Sequence, residues 1–328
     1  MRTLTILAVG LLLLPTTATT QDLVDSSGKI RVALVKMPYT GSRNVAELSP
    51  TPDYLTSGGI GDLLTEQGAV VRHAQTIALT AEEEEDYGEW HRMALANGHL
   101  AEAVTKNTKG GYLSVGLLAN CSSLLGMLGG LQNSGPTRRP LRVGLVWIDA
   151  HGDFNTPETT LSGMLGGMPV AISAGMALTN FRLKSGLDPA LPTRYIVMAA
   201  VRDTDPLEQD LIDRSEIEMI SVDDIRTRSE NLHAQMRRLS ELTDIIYVHI
   251  DMDVLDPAEV AGHGLTVADG PTSFELAAAI SDMFTYNKVA AIGVASTPSG
   301  TRDPDGVSRQ AAYRLIEGAI VGIQRRKN

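Results

Sequence analysis

Aromatic residues are scarce in this 328-residue chain, at 4%, so it lacks the interleaved rings on which single-stranded nucleic acid bases stack. Basic residues are outnumbered: 28 Lys and Arg face 39 Asp and Glu, for a net charge of −11. A field of that sign repels phosphate backbones and excludes nucleic acid as a main partner. Cys121 is the sole cysteine, which rules out an intramolecular disulfide. No linker-like tract or internal repeat divides residues 21–328, and beyond the first twenty residues no stretch is apolar enough to span a bilayer. What remains is 43% hydrophobic and 20% charged, the composition of a globular chain long enough for one large domain.

The first twenty residues read differently from the rest. Met1-Arg2 is a minimal positive start, Leu4 to Leu14 is an apolar run, and Pro15 to Thr20 is small and turn-forming. The run matches the core of a secretory signal and is shorter than the roughly 20 residues a membrane-spanning helix needs. The expectation is a signal peptide over 1–20, cleaved between Ala18 and Gln21, and an exported protein (periplasmic or secreted) with no membrane association after cleavage. An amino-terminal anchor is the alternative. A free thiol in an oxidising compartment persists when it is buried or ligated, so Cys121 is either a small core hydrophobe or a metal ligand.

Short β-branched runs alternate with helical patterns along the mature chain. Strands are expected at Ile30 to Val35, Ala69 to Val71, Tyr112 to Leu118, Leu141 to Ile148, Tyr195 to Val201, Met219 to Ser221, Ile245 to Ile250 and Val289 to Val294. Helices are expected over Pro52 to Glu66, Ala81 to Thr105, Ser122 to Gln132, Pro206 to Arg214, Val222 to Leu242, Ser273 to Thr285 and Gly306 to Gln324. The order implies an α/β fold: a single domain with a mostly parallel central sheet flanked by helices on both faces. In such sheets chemistry sits outside the carboxyl ends of the strands.

Two strand ends carry that chemistry. Val143 to Ile148 runs into Asp149-Ala150-His151-Gly152-Asp153, and Ile245 to Ile250 runs into Asp251-Met252-Asp253. Alternate residues of an extended backbone share a face, so Asp149, His151 and Asp153 converge if the extended backbone persists past the strand end, as do Asp251 and Asp253. Four carboxylates at buried strand ends repel one another unless cations neutralise them. The pattern therefore points to two divalent metal ions, and oxygen-rich ligands with one imidazole suit manganese.

The two motifs, with Val254-Leu255-Asp256-Pro257 extending the second, resemble the metal signatures of the ureohydrolases, the family of arginase and agmatinase, over nearly all of the mature chain. The resemblance implies an arginase-like branch that hydrolyses a linear amidine, releasing urea or a urea analogue. Its usual metal-ligand His, within a Gly-Gly-Asp-His-Ser element, is replaced here by Cys121 in Leu118-Ala119-Asn120-Cys121-Ser122. The implied metal ligands are Cys121, Asp149, His151, Asp153, Asp251 and Asp253. Sulfur in this set makes zinc or another softer ion an alternative to manganese. Asn155 and Ser162 match the contacts of a substrate α-carboxylate, and Asp205, with Glu208 beside it, matches the contact of an α-amino group. Asp153 is expected to orient the nucleophile and carry a proton to the leaving nitrogen. The resemblance also implies a homo-oligomer, a trimer or hexamer.

Two departures narrow the substrate. A proton-shuttling His of the family is replaced by Gly166, and a late Glu that pairs with the guanidinium is replaced by Ala295 or Ser296. A guanidino or N-hydroxyguanidino compound is expected, the less basic form needing that counter-charge less. His263 could replace the lost shuttle. His249, which shares strand parity with Asp251, is a second candidate for a catalytic role. A deacetylase-like metal hydrolase is a rival reading, although its paired His-His is lacking; a metal-binding protein without turnover is another.

Overall fold

The computed structural model describes residues 23–41, 43–135 and 139–326; the expected signal peptide lies outside them. Eight strands form one sheet: β1 (Arg31–Met37), β2 (Val70–Thr76), β3 (Leu113–Leu118), β4 (Val143–Ile148), β5 (Ile196–Ala199), β6 (Glu218–Ile220), β7 (Ile245–Asp251) and β8 (Val289–Ala295). They lie in the order β2-β1-β3-β8-β7-β4-β5-β6, and every neighbouring pair is parallel. The chain builds one half of the sheet outward through β1 to β3 and the other through β4 to β6. It then returns to lay β7 and β8 between them. The crevice at this reversal is where a parallel sheet offers a site.

β3, β4, β7 and β8 are buried along their whole length, which explains why they read as continuous apolar runs. Their alternate residues feed two cores. Val146, Ile148, Ile246, Val248 and Ile250 pack on one face with the helices Ser273–Met283 and Val307–Gln324. Leu145, Trp147, Ile245 and Tyr247 pack on the other with Glu89–Lys109 and Leu124–Gln132. The latter helix approaches its neighbour closely: a Cβ at Gly126 would stand 2.6 Å from the Asn97 carbonyl. That contact seats the turn carrying Cys121.

Three expected helices are each broken in two. Pro52–Glu66 divides into Thr51–Ser57 and Ile60–Glu66 at Gly59 (φ 100°). The acidic segment ends as Ala81–Glu84, and Gly88 (φ 100°) precedes a new helix that runs past Thr105 to Lys109. Val222–Leu242 breaks at Arg228 (φ 51°), after which Ser229 caps Glu230–Leu242. Left-handed residues stop a helix whatever the apolar period on either side. Short helices at Pro169–Ser173 and Thr179–Lys184 carry too little periodicity to be read from sequence.

Candidate metal centre

The carboxyl ends of β3, β8, β7 and β4 converge on a cavity of about 460 Å³. The acidic motifs reach it through turns, so the extended backbone on which their shared parity depended does not persist past the strand ends. Asp149 Oδ1 accepts the His151 amide at 2.7 Å, and Asp251 Oδ1 accepts the Asp253 amide at 3.0 Å. Each leading carboxylate thus closes its own turn, the local device that Asp favours. Asp253 sits in a single 3-10 turn, Met252–Val254, and Asp153 adopts a left-handed φ of 46°.

From the other strands, Cys121 Sγ donates to Asp251 Oδ2 at 2.7 Å, and Ser296, beyond β8, donates to the same oxygen at 2.9 Å. His151 Nδ1 lies 3.4 Å from Asp149 Oδ1 and 3.2 Å from Asp253 Oδ2. His263 arrives from its loop with Nε2 3.7 Å from Asp251 Oδ1 and Nδ1 3.9 Å from Asp253 Oδ2. Three sets of potential ligand atoms, each within 4.8 Å of one another, result: Cys121, Asp149 and Asp251; Asp149, His151 and Asp253; Asp251, Asp253 and His263. Asp153 is outside these sets but lines the same cavity.

Buried carboxylates dominate the electrostatics of the site, with His151 as the main opposing charge. Burial and then the neighbouring carboxylates push Asp149 well above the usual range. Burial does the same to Asp153, with Asp251 and Glu208 adding to it against the opposing pull of His151. Asp251 is raised by burial and Asp253, and Cys121 by burial and the charge of Asp251. Burial works against ionised Asp253 as well, but a hydrogen bond from His151 and the charges of His263 and His151 bring it down. For His151, burial alone would lower the imidazole, yet Asp149 and Asp253 carry it up to about 12. Carboxylates stacked this way are satisfied by cations, and oxygen, nitrogen and sulfur donors converging from four strands fit such ions.

The expected substrate contacts lie on the β4–β5 side of the cavity. Asn155 Nδ2 donates to Asp205 Oδ2 at 3.1 Å, and the Leu161 amide donates to the same oxygen at 3.3 Å. Ser162 is exposed at the rim. Glu208 is buried with both oxygens engaged, Oε1 accepting the Phe154 amide at 2.7 Å and Oε2 the Asp205 amide at 3.0 Å. It therefore clamps the β4 loop to the helix Pro206–Asp213. Glu208→Ala is expected to cost about 1–3 kcal/mol for the orphaned amides, read as a lowered thermal midpoint.

Gly166 lines the cavity, and a Cβ there would meet nothing nearer than 3.5 Å. Ser296 also lines it, while Ala295 is buried in the core, so a neutral hydroxyl occupies this wall. Three features escaped the sequence reading. Tyr247 OH lies 2.9 Å from His249 Nδ1; only its shared parity with His249 could have signalled it. Asp203, 3.9 Å from His151 Nε2, follows β5 in the otherwise legible Val201–Pro206 segment. The Arg302–Glu47 ion pair at 3.3 Å, on the cavity wall, joins distant segments and left no sequence signal.

The model of the Arginase family matches residues 66–321. The chain belongs to the arginase family. An arginase of Bacillus caldovelox is 31% identical over 182 residues, covering 55% of this chain and 59% of that protein. The mitochondrial arginase-2 of Bos taurus is 27% identical over 252 residues, covering 74% of this chain and 70% of that one. The first of these matches thus spans less than two thirds of its arginase. Among solved structures, Bacillus subtilis arginase superposes with a TM-score of 0.75 at 22% identity, covering 89% of this chain and 98% of that chain. Formimidoylglutamase from Bacillus subtilis gives a TM-score of 0.69 at 15% identity, covering 93% and 91%. At these identities the structural likeness establishes the arginase-like α/β fold.

Proposed function

We propose that this chain is a binuclear metal-dependent hydrolase of a linear amidine, a guanidino or N-hydroxyguanidino compound with an amino-acid end, releasing urea or a urea analogue. The observation that carries the reading is the convergence of buried Asp149, Asp153, Asp251 and Asp253 with Cys121 and His151 on one cavity. Those six residues would hold two divalent ions, manganese or, because of the sulfur, zinc or another softer ion. The chemistry such ions supply is Lewis-acid polarisation and a water acidic enough to attack near neutral pH.

The chain's own groups do the rest. Asn155, Ser162 and Asp205 bind the amino-acid end and so orient the amidine carbon toward the carboxylates. Asp153 holds the attacking water's proton on a carboxylate oxygen and passes it to the leaving nitrogen. His263, whose Nδ1 accepts the Leu265 amide at 3.2 Å, closes the cavity from its loop and serves as a second proton carrier. The hydroxyl of Ser296 faces the site in place of a carboxylate, which favours a less basic amidine. Losing a buried counter-charge to a guanidinium costs about 3–5 kcal/mol.

A panel of guanidino, N-hydroxyguanidino and formimidoyl compounds, assayed with added manganese or zinc alongside elemental analysis, tests the reading. Urea or hydroxyurea release is expected; two bound ions with no turnover on any amidine would leave a metal-binding protein instead. Cys121→His is expected to retain metal, and a folded, metal-free Cys121→His protein would make Cys121 a core residue. Export and assembly belong to the same proposal. The mature protein is expected outside the cytoplasm, with its first residue between Thr19 and Gln21, and as a trimer or hexamer; amino-terminal sequencing and light scattering decide both. Among the described residues no helix is long and apolar enough to cross a membrane.

A further inference from the structure

His249 is fully buried, and its two ring nitrogens face a phenol and a thiol with no carboxylate against them, an environment that holds the ring neutral. Its ring stacks on Trp147 with centroids 4.5 Å apart and planes 10° from parallel, and meets Tyr247 edge-on at 5.7 Å. The two ring nitrogens serve opposite ends of one line of contacts. Nδ1 lies 2.9 Å from Tyr247 OH, and Nε2 lies 3.3 Å from Cys121 Sγ. The line continues from Cys121 Sγ to Asp251 Oδ2 at 2.7 Å.

A neutral imidazole has one N–H, so only one of its nitrogens can donate. If Nδ1 carried the proton, the phenol would accept it, and the Tyr247 hydroxyl hydrogen would have no other hydrogen-bond partner among the described residues. With the phenol donating, Nδ1 accepts, the imidazole proton sits on Nε2, and it points at sulfur. The thiol hydrogen in turn faces Asp251 Oδ2. Every buried polar atom of the row is then satisfied.

The sheet register builds this arrangement. Tyr247, His249 and Asp251 share one face of β7, with Trp147 of β4 and Gly293 of β8 as the lateral neighbours of His249. Gly293 is required there: a Cβ would stand 2.0 Å from the Tyr247 oxygen. A glycine on one side and a stacked indole on the other hold the phenol and imidazole in place.

We propose that Tyr247 and His249 are positioning residues for the metal centre: the phenol fixes the imidazole tautomer, and the Nε2–H donates to Cys121 Sγ, holding the sulfur toward the carboxylates and damping its charge. The inference rests on the reading of Cys121 as a ligand. Hydrogen bonds to the groups that ligate metals tune affinity by roughly 10–100-fold, and an N–H donor to sulfur also tunes the electronic structure of a metal–thiolate bond.

Cobalt(II) added to the metal-free full chain provides the test, through the sulfur-to-cobalt charge-transfer band in the near ultraviolet. The parent protein is expected to show the band. His249→Leu is expected to move it to lower energy and weaken cobalt binding about 10–100-fold. His249→Gln, whose amide can donate, is expected to restore part of both, and Tyr247→Phe to give a smaller shift in the same direction as His249→Leu. Absence of the band in the parent, with a spectrum matching Cys121→Ser, would overturn the ligand reading itself. A band present in the parent and unmoved in folded His249→Leu would overturn this inference alone. Where His249→Leu does not fold, an unmoved band in Tyr247→Phe, which removes a single oxygen, does the same.

Discussion

Asp251→Ala is expected to abolish turnover and to release at least one metal ion per chain. Asp251 belongs to two of the three ligand sets, those of Cys121 and of His263. Its Oδ2 also receives both Cys121 and Ser296, and its Oδ1 closes the turn that carries Asp253. Removing it therefore takes a charge from the cavity and loosens two other groups at once. Uncoupling one partner of a buried ionic assembly costs on the order of 3–5 kcal/mol, which is about two to three and a half powers of ten in metal affinity. Asp149→Ala and Asp253→Ala, each also in two sets, should behave alike. Elemental analysis and the urea assay read both effects, with circular dichroism to establish folding. Parent-level activity in any of the three folded variants would refute the ligand assignment.

Chelation should destabilise the protein, and by more as the pH rises. In the metal-free chain Asp149, Asp153 and Asp251 are raised above their ordinary values, so the folded state binds more protons than the unfolded one. Stability then falls with increasing pH from the normal carboxylate range upward. His151 adds to the trend. Raised to about 12, it contributes stability that is complete below its unfolded value near 6.5 and is lost as pH climbs through the folded one. Asp253, lowered, runs the other way: its contribution is present above the unfolded value and lost on acidification. Four groups raised against one lowered give the expected trend its sign.

Metal binding reverses the trend, because the ligands bind deprotonated. At a hundred-fold excess over Kd each ion contributes about 2.7 kcal/mol. Two ions then amount to a shift on the order of 10 °C for a chain of this size. The gap between melts with and without chelator should widen from pH 5 to pH 8. Coincident melts at pH 8, or a metal-free protein more stable at pH 8 than at pH 5, would contradict the expectation.

Much of this site is legible in the order of residues. The apolar runs ending at Ile148 and Ile250 mark central strands, and the acids that follow them mark the carboxyl edge of a parallel sheet. Strand parity also places His249 on the Asp251 face, where it contacts Cys121 at 3.3 Å. The same parity argument misjudges the local backbone: Asp153 and Asp253 arrive through turns, because short-range carboxylate–amide bonds compete with extension. Helix breaks at Gly59, Gly88 and Arg228 are likewise hidden, since apolar periodicity carries no record of a left-handed φ.

Residue order alone determined the alternation of strands and helices, the burial of the sheet and the identity of its acidic edge, because those follow from periodicity and from the cost of burying charge. Only the tertiary structure decided that Cys121 meets His249 and Asp251, residues 128 and 130 positions away, that the Tyr247 hydroxyl reaches the His249 ring, and that Glu47 meets Arg302. Those pairings depend on which strands become neighbours and in what register. Strand order is a property of the assembled sheet, where contacts distant in sequence become favourable together.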